Sequence, residues 1–280
     1  MRIKITSDST CDLSSEQVAR HNIHIFPLSV RIGERDLRDG VDAVPQDIYA
    51  HVDQGGDLPA TAAVSVGEYR TAFEQFSAEY DAVIHLDISL DFSCCHQNAA
   101  MAAEGLDNVY VVDSRNLSTG HGLLVLKAAE LAESGMEAQK IAEILKETAP
   151  KVDASFIMDR LDYMKKGGRC SSITVLGANL LKLKPCIEVR DGKMLVAKKY
   201  RGGFDACVKA YIADRISGRD DLDLQRVFLT HSGVSDSCIQ TALDTVHALQ
   251  PFQEVCVTTA GCTISSHCGP GTIGILFIRK

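Results

Sequence analysis

No stretch of this 280-residue chain is long and apolar enough to cross a bilayer, which takes about 20 consecutive apolar residues. Positive charge is also short: 29 Lys and Arg face 37 Asp and Glu, for a net charge of −8. Such an acidic chain is a poor general binder of nucleic acid or of anionic membrane surfaces. The opening residues Met1–Ile5 run directly into a strand pattern, without the apolar core of a signal peptide. A cytoplasmic location is therefore expected, without stable membrane insertion. Paired cysteines are missing. None of the ten cysteines stands in a Cys-x-x-Cys pair, and the adjacent Cys94 and Cys95 suit neither a shared metal nor a relaxed disulfide. They read as small apolar residues of a reducing compartment, and no metal is expected. Glycine fingerprints for nucleotides are absent as well. The first βα turn is Ser7-Asp8-Ser9-Thr10-Cys11-Asp12, with neither a G-x-G-x-x-G nor a Walker loop, and no G-x-S-x-G elbow occurs. There is no internal repeat and no low-complexity linker.

What is present is material for a large core. The chain is 45% hydrophobic, and its length suggests two domains. Its first half alternates strand and helix patterns: strands at 3–6, 23–32, 81–86 and 109–112, and helices opened by the capping boxes Ser14-x-x-Gln17 and Ser65-x-x-Glu68. A helix over 94–104 follows the third strand, and helices over 118–133 and 137–148 follow the fourth. This alternation predicts a mostly parallel sheet with helices on both faces. The second half restarts with a strand at 154–158 and short helices at 161–166 and 173–183. Asp191-Gly192 between two β-patterned runs signals a hairpin. A smaller α+β domain with a mixed sheet is predicted there. The boundary is placed in Ala149–Asp153, giving an N-terminal α/β domain of residues 1–152 and a C-terminal domain of residues 153–280, with a ligand between them.

Three features carry chemistry. At the C-terminal end, Ser265-Ser266-His267-Cys268-Gly269-Pro270-Gly271 sets a histidine at the lip of a Gly-Pro-Gly turn, between two strands. That segment reads equally as an ordinary β-turn or as a receptor for a carboxylate or phosphate oxygen. Second, the strands of the first half end in hydroxyl-rich loops: Ser7/Ser9/Thr10, Ser89/Ser93 and Ser114/Ser118/Thr119. These are expected to line the edge where ligands of open α/β sheets lie. Ser14, Ser65 and Ser118 read as helix caps, whereas Thr61 and Ser93 are not ideally placed as caps. Third, residues 160–201 hold eleven basic and three acidic residues, a net +8, leaving −16 for the rest. That stretch is either a solvated surface or a face for an acidic partner. A Ser-His-Asp hydrolase or thioesterase assembled from Ser93, His267 and Asp8 is an alternative that the spacing neither forbids nor favours.

Read in order, these segments resemble the DegV family. The resemblance is carried by Asp8-Ser9-Thr10-Cys11-Asp12-Leu13, Pro59-x-Thr61, Ile88-Ser89…Ser93 and Val112-Asp113-Ser114. It continues through Leu161–Arg169, Lys184-Pro185 to Asp191-Gly192-Lys193, Arg201-Gly202 and His267-x-Gly269-Pro270-Gly271. The ordered set, spanning nearly the whole chain, is far more specific than any member of it. The resemblance implies two α/β domains that hold a long-chain fatty acid between them and need no cofactor. It further implies a non-catalytic carrier, the lipid-presenting subunit of a bacterial fatty acid kinase system that feeds phospholipid metabolism. The partner kinase would make acyl phosphate from the presented carboxylate. Carried over by position, Thr61, Ser93 and His267 would hold the carboxylate, and Arg169 and Arg201 would lie near the mouth or the partner surface. The chain departs from the family at Thr61-Ala62-Ala63-Val64-Ser65, where Thr-Ser-Gln-Pro-Ser is usual. It departs again at Phe92-Ser93-Cys94-Cys95-His96, where Leu-Ser-Gly-Thr-Tyr is usual, so the thiols of Cys94 and Cys95 stand at the implied head-group position.

Overall fold

The computed structural model describes residues 1–174 and 183–280. In chain order, the first half comprises β1 (Ile3–Asp8), α1 (Ser15–Arg20), β2 (His24–Phe26), β3 (Ser29–Ile32), β4 (Arg35–Arg38), α2 (Pro45–Asp53) and β5 (Ala60–Ala62). It continues with α3 (Val66–Glu79), β6 (Ala82–Asp87), α4 (Cys95–Ala103), β7 (Val109–Asp113), α5 (Ser118–Glu133) and α6 (Ala138–Thr148). The second half comprises β8 (Val152–Met158), α7 (Asp162–Gly167), α8 (Ser171–Thr174), β9 (Leu183–Arg190), β10 (Lys193–Arg201) and α9 (Phe204–Ile216). It closes with β11 (Leu222–Ser232), α10 (Asp236–Leu249), β12 (Glu254–Thr259), α11 (Cys262–Cys268) and β13 (Thr272–Arg279).

The first sheet has the order β2-β1-β6-β7 and is parallel throughout, as the β-α alternation predicts. Every residue of β6 is buried, as befits a strand covered on both faces. Helix α6 shows one of the amphipathic covers, burying Ala138, Ile141, Ala142 and Leu145 at helical spacing. The second sheet, β10-β9-β8-β13-β11-β12, is mixed: only β11 and β12 run parallel. Asp191 and Gly192 both take positive φ (51° and 79°), which makes the β9–β10 connection the tight hairpin that the dipeptide signals. Helix α5 lies between the two sheets, packing on β1 and β6 on one side and β8, β11 and β13 on the other. Residues Ser118–Leu126 of this helix are buried without a break, so it has no solvent face there.

Three expectations need correction. The strand expected over 23–32 is two strands in different sheets. Pro27 separates them, lacking the N–H that a continuous ladder would need. After it, β3 turns away to pair with β4 and β5 in a third, antiparallel sheet that the sequence did not announce. The segment before the Gly-Pro-Gly turn is the helix α11, so His267 stands in the last turn of a helix. Ser118 is not a cap. It is the first residue of α5, at φ 51°, and donates to Asp12. The helix expected over 173–183 lies largely outside the described residues, and Leu183 already belongs to β9. Ser14 and Ser65 do close capping boxes with Gln17 and Glu68. Eight of the ten cysteines are buried and pack as small apolar groups.

Candidate functional site

The site is built on α11, and α11 is held by the opposite half of the chain. Its first free amides are met by two carboxylates. Gly261 N donates to Asp12 Oδ1 (2.8 Å), and Cys262 N and Thr263 N donate to the two oxygens of Asp39 (2.6 and 3.0 Å). Negative charge is favourable at a helix N-terminus, and these oxygens satisfy donors that have no partner within the helix. Both acids are braced in turn. Ser9 donates to Asp39 (3.1 Å) while accepting from Leu28 N, and Ser118 donates to Asp12 (2.5 Å). Burial pushes the Asp12 carboxyl well above the usual range. The Asp8–Asp12 segment is thus scaffold. Asp8 caps the turn at Thr10 and accepts from Ile88 N, and Asp12 anchors α11.

From this anchored helix His267 projects toward β5, where its Nε2 lies 2.9 Å from Thr61 Oγ1. The opposite ring nitrogen faces Gly167 at the end of α7. A Cβ on Gly167 would stand 2.5 Å from Nδ1, so only glycine permits the imidazole its position. Among the described residues Nδ1 has no hydrogen-bond partner. Burial, with the Arg169 charge second, pushes His267 down to about 4, so the ring is neutral near pH 7. Arg169 is itself held over this corner by donating to Gly167 O (2.8 Å).

A cavity of about 490 Å3 opens beside this pair, within the size range of small-molecule sites. Leu28, Ile88, Phe92 and Leu117 from the first half and Phe156, Met164 and Met194 from the second supply its apolar wall. Thr61, Ser93, Cys94, Arg169 and His267 all border it. Among the described residues no group of three or more His, Cys, Asp or Glu is arranged to hold a metal ion.

The structure thus brings Thr61, Ser93, Cys94, Arg169 and His267 to one cavity and leaves two other named residues outside it. Cys95 needs correction: it is fully buried in the core cluster with Tyr69 and Phe73, and burial pushes its thiol up to about 12. As the first residue of α4 it faces inward, so the thiol on the cavity wall is that of the exposed Cys94. Arg201 ends β10 in an exposed position and is not part of the wall. Ser93 leans on the helix behind it: its Oγ accepts from Cys95 N (3.3 Å) and lies 3.2 Å from Cys95 Sγ. The other loop hydroxyls serve the scaffold more than the cavity. Ser7 meets His121, Ser89 donates to Gly192 O, Ser114 donates to Asn116 O and Thr119 meets Thr230. Of them, only Ser93 and Ser118 reach the wall. The hydrolase geometry is not formed. Ser93 makes no bond to His267, Nδ1 has no carboxylate partner among the described residues, and Asp8 is committed to Thr10 and Ile88.

Sequence reasoning missed Asp39 and most of the apolar wall. No local signal marks Asp39, whose partners on α11 lie more than two hundred residues away. Met164 sits inside a segment that drew notice for its basic residues. Most of that basic charge is locally paired: Arg160 with Asp162, Lys166 with Asp57, Lys184 with Asp159, Arg190 with Glu188, Lys193 with Asp91 and Lys198 with Asp214. Lys165, Arg169, Lys199 and Arg201 form no ion pair among the described residues.

Residues 2–280 match the model of a family described as an uncharacterised protein family, DegV. The chain is 30% identical to a DegV domain-containing protein of Caldanaerobacter subterraneus over 284 residues, covering 100% of this chain and 99% of that one. It is also 30% identical to protein DegV of Bacillus subtilis over 284 residues, covering all of both. Among solved structures it resembles a fatty-acid-binding DegV family protein from Thermus thermophilus (TM-score 0.91, 29% identity, 100% of each chain). It likewise resembles a stearic-acid-binding protein from Eubacterium ventriosum (TM-score 0.84, 26% identity, 99% of this chain and 98% of that one).

Proposed function

The chain belongs to the DegV family, and from that premise we propose that it is a cytoplasmic carrier that binds a long-chain fatty acid in this cavity and presents the carboxylate to a partner kinase. In this reading residues 1–152 and 153–280 are two lobes that clasp the acyl chain, and the protein performs no chemistry of its own. The observation that supports it best is the Thr61–His267 pair at the edge of an apolar cavity whose wall both halves supply.

The pair has the right chemistry for a carboxylate. A neutral imidazole carries one N–H. With that proton on Nε2, His267 donates to Thr61 Oγ1, and the Thr61 hydroxyl is left to donate outward to an anion. With the proton on Nδ1, Thr61 must donate to Nε2 and has nothing to offer. An anionic head group therefore selects the first tautomer. Ser93 adds a second hydroxyl on the same wall, and the Arg169 guanidinium adds long-range attraction. Orientation comes from these polar groups and affinity from the chain. About fifteen methylenes at about 0.8 kcal/mol each give roughly 12 kcal/mol before the costs of association. Each head-group hydrogen bond adds about 0.5–3 kcal/mol. Arg169 on the cavity wall, with Lys165, Lys199 and Arg201, all without an ion pair among the described residues, would offer positive charge to an acidic kinase surface.

The test is a denaturing extract of the purified protein analysed by mass spectrometry. Long-chain fatty acid in near-stoichiometric amount is expected. A lipid-depleted preparation that takes up no fatty acid, under conditions where a DegV relative does, would sink the proposal.

A further inference from the structure

One seam between the two halves differs from the rest. The loops that follow β6 and β7 are tied together by Asp113, which accepts from Leu90 N (3.4 Å) and Arg115 N (2.9 Å). The tip of the β9–β10 hairpin lies across this braced pair. Ser89 donates to Gly192 O (3.2 Å), Arg115 pairs with Asp191 (3.2 Å) and Lys193 pairs with Asp91 (3.9 Å). The fit is close: a Cβ on Gly192 would stand 2.8 Å from Ser89 Oγ and 3.0 Å from Asp91 Oδ2. The cavity borders the same seam. Leu90, Asp91 and Phe92 line it from the loop after β6, and Met194 lines it from the hairpin. Leu90 is 56% exposed, so this border of the cavity reaches solvent.

Little holds the seam shut. Exposed ion pairs are weak because water and salt screen them, and the side chains of Asp191 and Lys193 are 85% and 69% exposed. The tip also gets little support from its own sheet. β8 pairs with β9 only at residues 186–189, so residues 190–193 reach past that ladder. β10 is an edge strand, and its register shifts between Val196 and Lys198, an irregularity at which a strand bends. The joints around α5 and α11 are of another kind. They are carboxylate caps and hydroxyl pairs in the interior, and parting them leaves buried polar groups without partners. A long acyl chain held between the halves has to part some seam to enter or leave. The hairpin tip exchanges its contacts for water at the least cost.

Building on the fatty-acid reading, we propose that the seam between the hairpin tip and the loop after β6 is the portal of the acyl chain, and that the tip is a strap whose release limits ligand exchange.

The experiment follows a fluorescent long-chain fatty acid entering and leaving the lipid-depleted full chain by stopped flow. Arg115→Glu/Lys193→Glu sets like charges opposite Asp191 and Asp91. Neither substituted residue borders the cavity, so a looser strap speeds entry and exit alike and leaves the equilibrium where it was. Both rate constants are expected to rise about fivefold, with Kd unchanged within about twofold. Added salt should narrow the difference from the unmodified protein, since it screens attraction in one and repulsion in the other. If the double variant does not fold, Lys193→Glu alone, at an exposed side chain, is read in the same way with a smaller rise. Unchanged rates overturn the proposal. A faster exit with an unchanged entry rate and a weaker Kd also overturns it, because the hairpin is then only a wall of the cavity. Failure of the unmodified protein to take up the acid defeats the fatty-acid reading itself, and the portal with it.

Discussion

In the proposed reading, the Thr61 hydroxyl is the group that would make a neutral histidine a carboxylate receptor. Replacing it by valine keeps the shape of the side chain and removes the donor. Thr61→Val is expected to weaken fatty-acid binding about tenfold, in line with about 1.5 kcal/mol for a hydrogen bond to a charged group, with little change in stability. Displacement of a fluorescent fatty acid, read beside a urea melt, checks both halves of that statement. His267 carries a second residue-scale consequence. Its pKa in the folded chain is about 4, below the ordinary value of 6.5, so the unfolded chain binds the extra proton first as pH falls. The stability tied to a neutral His267 is thus complete above pH 6.5 and is lost as pH drops from there toward 4. His267→Gln cannot titrate and should show a shallower loss between pH 7 and pH 4.5 in denaturant melts. An unchanged slope would mean that other groups carry the dependence.

At the scale of elements, the site is the meeting of α11, β5 and the end of α7. Helix α11 has only seven residues, too few to be stable alone, and is held by caps and by packing. Asp12 and Asp39 hold its N-terminus, and its apolar face packs on α2 and β3, where Cys262 joins Val30, Ile32 and Ile48 in one buried cluster. The terminus of α7 then sets the depth of the imidazole. Gly167→Ala puts a methyl group 2.5 Å from Nδ1, and the atom in its way belongs to a side chain that can swing. The expected result is a near-normal melting temperature with fatty-acid affinity reduced about tenfold, since the Thr61–His267 bond is what the swing breaks. Binding calorimetry beside a thermal melt separates this outcome from simple misfolding.

At the scale of the whole molecule, the two halves meet through buried polar contacts as well as through the cavity. Thr119–Thr230, Tyr49–Ser232 and the Asp12 and Asp39 caps all cross between them. Arg226 bridges Glu130 of α5 and Glu254 of β12, tying the far side. On the proposed reading, lipid binding belongs to the joint and kinase docking to the outer face. Arg201→Glu tests that separation, because Arg201 is exposed and off the cavity wall. Phosphorylation of the bound lipid by the partner kinase is expected to fall severalfold while fatty-acid affinity stays unchanged. Equal loss of both would remove the docking face from the account.

The sequence by itself determined the elements and their class. The 3.6- and two-residue periods, the capping boxes at Ser14 and Ser65 and the Asp191-Gly192 turn are local signals, and local chemistry makes those structures wherever they sit in a chain. Only the tertiary structure decided what meets at the site. Thr61 and His267 are 206 residues apart, and the carboxylates that make Cys262–Cys268 a helix come from 223 and 249 residues away. No window of sequence contains both a helix end and its cap at such a distance, so that segment reads locally as a turn. The same reason hid Asp39, the apolar wall and the inward turn of Cys95. Each depends on which face of an element is covered by another, and that is settled when the two halves close over α5.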